Sequence, residues 1–216
     1  MNKINITLPD NSVHEYNIGT SALDIAKNIG DRLAMSTVAA SVNDVLVDAF
    51  TPINEDANLV IHTADSKIGH QVLLHSTAHV MAQAVKKFWP DCQMTIGPAI
   101  ENRFYYDFDI DGTFSDDDLI KIEEEMHNIV NSNYEVFRKD LSRNEAIKIF
   151  SDLNENYKLE IINEIDEGEG LSAYTQGDFI DLCRGPHFKS TKMLGHAFKL
   201  TKLAGSYWRG DSLSLI

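Results

Sequence analysis

Only two cysteines, Cys92 and Cys183, occur in 216 residues, which excludes a disulfide framework and suits a reducing compartment. No apolar run approaches the roughly 20 residues needed to span a bilayer. The N-terminus, Met1-Asn-Lys-Ile-Asn-Ile6, lacks the apolar core of a secretion signal, so the expected location is cytoplasmic. Basic residues are also scarce, 19 against 33 acidic for a net charge of −14, which argues against a general nucleic-acid binder. The charge is unevenly spread. Nine acidic residues and one lysine lie between Asp107 and Glu125, whereas Arg184 to Arg209 holds six basic residues and no acidic one. That stretch could meet a phosphate backbone locally, and a solvated basic face explains it equally well. There is neither an internal repeat nor a low-complexity tract. A hydrophobic fraction of 43% is enough for a true core, in one medium domain or in a small one plus a medium one.

Residues 1–62 read as a separate small unit. Ile4 to Leu8 alternates like a strand, Pro9-Asp-Asn-Ser12 is a turn, and Val13 to Ile18 is a second strand. Thr20 or Ser21 can cap a helix carrying Leu23, Ile25 and Ala26 and stopped by Gly30. Thr37 to Val42, the turn Asn43-Asp44 and Val45 to Val47 form a hairpin, with Leu59 to His62 as the last strand. The order β-β-α-β-β-β at this size predicts a β-grasp, ubiquitin-like module. It contains no catalytic constellation and reads as an adaptor.

The remainder, 63–216, reads as a larger α+β domain. Apolar positions at helical spacing run from about His70 to Phe88 and end before Pro90. Met94 to Pro98 and Arg103 to Phe108 predict strand, turn and strand. Ser115 caps a helix from Asp116 to about Asn131, and its acidic first turn suits the helix dipole. Ser142-Arg-Asn-Glu145 is a capping box for another helix. Tyr157 to Ile162 has strand character, Asp166 to Gly170 is an acidic loop, and Tyr174 to Trp208 mixes short strands with glycine turns.

Two short motifs stand out. His75-Ser-Thr-Ala-His79 lies in the predicted helix, where histidines at i and i+4 share a face. Cys183-Arg-Gly-Pro-His187 cannot be helical throughout. A zinc site usually takes three or four nitrogen and sulfur donors, and the two pairs together supply four. Either pair alone reads as inert, hydrogen-bonded residues. Asp181 precedes Cys183 by two and in an extended stretch faces the same way, where it could orient a histidine or hold a substrate ammonium. By alternation only one of Tyr105 and Tyr106 can enter a pocket. Lys158 is a lone cation, a type that is usually solvated.

The paired motifs, with Gly97-Pro98, Phe104-Tyr-Tyr-Asp107 and Asp181-Leu-Cys-Arg-Gly-Pro-His187, resemble the editing domain of bacterial threonyl-tRNA synthetases. Phe198 to Asp211, ending in Tyr207-Trp-Arg-Gly-Asp211, looks like the segment that follows it in that family. Residues 1–62, with the Val38 to Asp48 stretch, resemble the preceding β-grasp module, called TGS. The motifs themselves are shared with alanyl-tRNA synthetases and their freestanding relatives. Two departures are visible. The chain stops at Ile216, so the resemblance implies an N-terminal fragment without the class II core and anticodon domain. Arg103 stands where the family often has glycine.

The resemblance implies hydrolysis of seryl-tRNA(Thr) at the tRNA 3′ end; the full-length parent would ligate threonine to tRNA(Thr) using ATP. Serine lacks one methyl of threonine, and such a difference is worth only roughly 1–3 kcal/mol of discrimination. A second site with another sieve removes the error. By family analogy His75, His79, Lys158, Cys183 and His187 are catalytic, and Tyr106 and Asp181 hold the terminal adenosine or seryl group. The implied site needs no metal; His75, His79, Cys183 and His187 are the candidate ligands for a zinc ion. The rival readings are a zinc-dependent freestanding deacylase of the alanyl type and a non-catalytic tRNA-binding or regulatory module.

Overall fold

The computed structural model describes residues 2–205; the Tyr207-Trp-Arg-Gly-Asp211 stretch lies outside them. Backbone packing separates two units, residues up to Ser76 with Gly185–Lys189, and Thr77–Arg184 with the residues from Ser190 onward. No helix among the described residues is long and apolar enough to cross a membrane.

The first unit opens with strands β1 (Lys3–Thr7) and β2 (Val13–Asn17), the two-residue β3 (Thr20–Ser21), and helices α1 (Ala22–Ile29) and α2 (Asp31–Ser36). Strands β4 (Thr37–Val42), β5 (Val45–Asp48), β6 (Pro52–Ile53) and β7 (Ala57–Thr63) follow. The main sheet runs β2-β1-β7-β4-β5, with β1 parallel to β7 and its other pairs antiparallel. That is the β-grasp arrangement. Alternation along β1 sends Ile4 and Ile6 inward, where they meet Ala22 and Ile25 of α1, Ala40, Ile53 and Leu59. Ser21 is the residue that caps α1, in a capping box with Asp24. Helix α2 and the short pair β3–β6 are additions to the expected order. Helix α2 buries none of its residues and so carries no apolar period, and two-residue strands are too short to alternate.

Helix α3 (Lys67–Phe88) runs through the boundary at Ser76. The second unit continues with β8 (Gln93–Met94), β9 (Ala99–Ile100), β10 (Arg103–Phe104) and β11 (Phe108–Asp109), helix α4 (Asp116–Ser132), β12 (Val136–Leu141), α5 (Arg143–Asp152), α6 (Asn156–Glu164), β13 (Leu171–Gln176) and β14 (Phe179–Leu182). Where two strands were expected there are four short ones, paired β9 with β10 and β8 with β11. Between these pairs, reciprocal bonds from Thr95 N to Asp107 O (3.2 Å) and Asp107 N to Ile96 O (3.0 Å) hold the segments together. Helices α5 and α6 pack on the antiparallel sheet β12-β13-β14 through Phe150, Ile162, Leu141, Leu171 and Ala173.

The strand expected over Tyr157 to Ile162 is helix α6. Tyr157, Leu159 and Ile161 imitate a period of two, but the buried positions are Lys158 and Ile162, four apart on one helical face. Burial of a lysine hid the helical period.

Candidate functional site

Asp181 occupies the middle of β14, paired in register with Tyr174 of β13. Its carboxylate is 1% exposed. A bare carboxylate in such a place costs several kcal/mol, so its neighbours decide whether it is tolerated. Tyr106 donates its hydroxyl proton to Asp181 Oδ2 at 2.6 Å. Lys158 Nζ, itself 2% exposed, lies 2.7 Å from Oδ1. The lysine also donates to Tyr106 Oη at 2.9 Å and to Thr95 O at 2.7 Å. Its contact with Oδ1 is an ion pair that lacks hydrogen-bond geometry. His79 Nδ1 stands 3.4 Å from Oδ2, so the same carboxylate orients one of the α3 histidines.

Tyr106 is clamped. Its ring stacks on Phe108 with centroids 4.9 Å apart and meets the edge of His79 at 6.2 Å. A Cβ placed on Gly97 would sit 2.2 Å from Tyr106 Cδ2, so only glycine lets the ring occupy this position. Burial, then the Asp181 carboxylate, pushes the Tyr106 phenol well above its usual range. The hydroxyl therefore remains a donor to Asp181 throughout the physiological range. Tyr105, its neighbour, is only half-buried, in keeping with one inward tyrosine of the two.

The first unit holds the other half of the two motifs. His187, 2% exposed, stacks on His75 with ring centroids 4.6 Å apart and planes 27° apart. Its Nδ1 lies 3.0 Å from Ser76 Oγ, and Ser76 also accepts the Phe188 N–H at 3.2 Å. His187 donates its backbone N–H to Asp48 Oδ1 at 2.8 Å. In the second unit Cys183, just past β14, extends the ladder: its N–H donates to Ser172 O at 3.0 Å, and Ser172 Oγ donates to its carbonyl at 2.6 Å.

His75 and His187 of the first unit and His79 and Cys183 of the second offer three imidazoles and one thiol as candidate donors. The set fits zinc in donor type and number, and Asp181 and Ser76 orient His79 and His187 as partners of metal ligands do. Four protein donors would close the coordination shell, whereas a catalytic zinc keeps a position for water.

Of the residues expected from sequence, Tyr106, Lys158, Asp181 and His79 meet in one buried array, and His75 meets His187. Arg103 is exposed in β10. Thr95, Ser76 and Asp48 carried no signal of their own. Glu155, 1% exposed, takes Lys86 Nζ at 2.8 Å and the Met94 N–H at 2.9 Å. It thereby fixes the β8 end next to Thr95, and nothing in its spacing indicated this.

Comparison with known proteins adds independent information. Residues 4–63 match the TGS domain family, and residues 171–214 match the family described as threonyl and alanyl tRNA synthetase second additional domain. Among similar proteins, a threonine–tRNA ligase of Legionella pneumophila is 50% identical over 208 residues, covering 96% of this chain and 32% of the ligase. Those of Hahella chejuensis and Acetivibrio thermocellus are 50% and 48% identical, each over 96% of this chain and 32% and 33% of the ligase. The chain thus spans about a third of the length of the curated relatives it matches.

Proposed function

We propose that this chain, which joins a TGS domain to a threonyl/alanyl second additional domain and is similar to the N-terminal region of bacterial threonyl-tRNA ligases, hydrolyses seryl-tRNA(Thr) as a proofreading activity. The observation that carries this reading is the buried Tyr106–Asp181–Lys158 array beside His79. Burying a carboxylate and an ammonium together is costly unless geometry is good, and the phenol between them is raised by its burial, a combination that concentrates at functional sites.

Ester hydrolysis needs an attacking water, stabilisation of the oxyanion, and a proton for the departing ribose oxygen. His75, half-buried and stacked on His187, is the assigned base, because imidazole titrates near neutrality. His79, oriented by Asp181, with Cys183 and His187, surrounds the water and the ester. Lys158 keeps Asp181 and Tyr106 in place and supplies a fixed positive charge behind them.

Tyr106 and Asp181 form the wall that sorts the amino acid. Gly97 and Phe108 back the tyrosine ring, so the wall does not yield. The extra methyl of threonine crowds it and displaces the carbonyl from its water; an ångström of misplacement costs about a hundredfold in rate. The reaction is assigned to the side chains without an obligatory metal, since four protein ligands would leave a zinc ion no position for water. Were zinc bound, His75, His79, Cys183 and His187 would hold it, and it would supply Lewis-acid chemistry. The parent's ligation of threonine to tRNA(Thr) with ATP would belong to the two thirds of the relatives that this chain does not cover.

The test is deacylation of seryl- and threonyl-tRNA(Thr) at matched enzyme, with and without chelator. Selective loss of the seryl ester, unchanged by chelator, is expected. Equal hydrolysis of both esters would overturn the proofreading reading, and an intact seryl ester would favour a binding module.

A further inference from the structure

The Val38 to Asp48 stretch ends on a carboxylate that the proposed mechanism does not use. Asp48, at the end of β5, is 1% exposed. It lies in the β-grasp unit, yet its Oδ1 accepts the backbone N–H of His187 at 2.8 Å, across 139 residues of sequence. The Gly185–Lys189 stretch that carries His187 belongs to no helix or strand, so its position depends on such individual bonds. A second tie lies two residues further along both segments, where Lys189 Nζ sits over the Phe50 ring, 4.6 Å from its centroid. On the other side Ser76 receives the Phe188 N–H and meets His187 Nδ1.

We infer that Asp48 is a positioning residue for His187, one of the side chains to which the proposed function gives a part in deacylation. The inference rests on the proposed function for its effect on rate, but not for its effect on the loop. The bond is charge-assisted, a class shorter and stronger than neutral pairs. Without its acceptor, a backbone N–H on a residue 2% exposed is left unsatisfied, and the loop must shift to find water or another oxygen. The imidazole stacked on His75 shifts with it. A misplacement of about an ångström can cost about a hundredfold in rate.

The test uses the whole chain with Asp48→Ala and the isosteric Asp48→Asn. Amide hydrogen exchange of His187, read by NMR, should be at least tenfold faster in Asp48→Ala. In Asp48→Asn the His187 amide proton should move upfield, as a neutral acceptor replaces a charged one. With seryl-tRNA(Thr), Asp48→Ala should lower kcat at least tenfold with KM within twofold, and Asp48→Asn should recover most of the rate. An unmoved His187 amide in Asp48→Asn would overturn the inference even if Asp48→Ala failed to fold. A kcat within twofold of the unchanged chain in a folded Asp48→Ala would overturn it as well. If the unchanged chain left the seryl ester intact, the proposed function would fall, and the NMR arm would still decide whether Asp48 holds the loop.

Discussion

Replacing Lys158 with methionine keeps an unbranched side chain, one heavy atom shorter, and removes the charge and its hydrogen bonds. Three contacts are lost at once: the ion pair with Asp181 Oδ1 at 2.7 Å, and the donations to Tyr106 Oη at 2.9 Å and Thr95 O at 2.7 Å. Asp181 is then left 1% exposed with the Tyr106 hydroxyl as its directed donor. Removing one partner of a buried pair typically costs about 3–5 kcal/mol, mostly from the uncompensated charge that remains. At about 2–4 °C per kcal/mol for a chain of this length, the melting temperature should fall by about 6–20 °C. The double variant Lys158→Met/Asp181→Asn removes both charges and should be more stable than the sum of the single losses by at least ~2 kcal/mol. Urea denaturation of the four proteins closes the cycle. Single losses that add to within ~0.5 kcal/mol, as for independent sites, would refute the coupled burial. Activity provides the second half of the test: each single variant should lose at least about a hundredfold in deacylation, and the double variant should regain stability without regaining rate.

Gly97→Ala places a Cβ 2.2 Å from Tyr106 Cδ2; overpacking of this kind costs about 1–3 kcal/mol and should lower the deacylation rate, both measurable on one preparation. Burial pushes the Cys92 thiol up to about 12, so its thiolate is scarce at pH 8. An aromatic disulfide reagent should therefore titrate one thiol rapidly, and that thiol should vanish in Cys183→Ser; two fast thiols would contradict the burial of Cys92. The Tyr106 phenol is raised in the folded state, so its contribution to stability is complete below about pH 10, the ordinary tyrosine value, and is lost as the pH rises beyond it. Tyr106→Phe should accordingly flatten the alkaline decline in melting temperature, and an unchanged slope would assign that decline elsewhere. Elemental analysis before and after chelation should show that the deacylation rate does not follow zinc content; a rate lost with zinc and restored with it would establish a metal-dependent site.

The elements legible in the sequence are those specified within a few residues of chain. Ser21, Ser115 and Ser142 each begin a helix through bonds to the residue three positions on, and such caps need no distant partner. Asn43 and Asp44 both take positive φ, as a tight hairpin turn requires, which fixed β4 and β5 from their own letters. The two histidine motifs were visible for the same reason: spacing of four on a helix, and a short loop. What only the tertiary structure decided is the fate of the charges. Lys158 reads as a solvated cation in a strand because nothing nearby shows that it points inward. Its partners Tyr106 and Thr95 come from 52 and 63 residues away. Tyr106 reaches Asp181 across 75 residues, and Asp48 reaches His187 across 139. A buried charge is tolerated only when its counter-charge and donors arrive together, and that arrival is a property of the folded chain, not of any local pattern of letters.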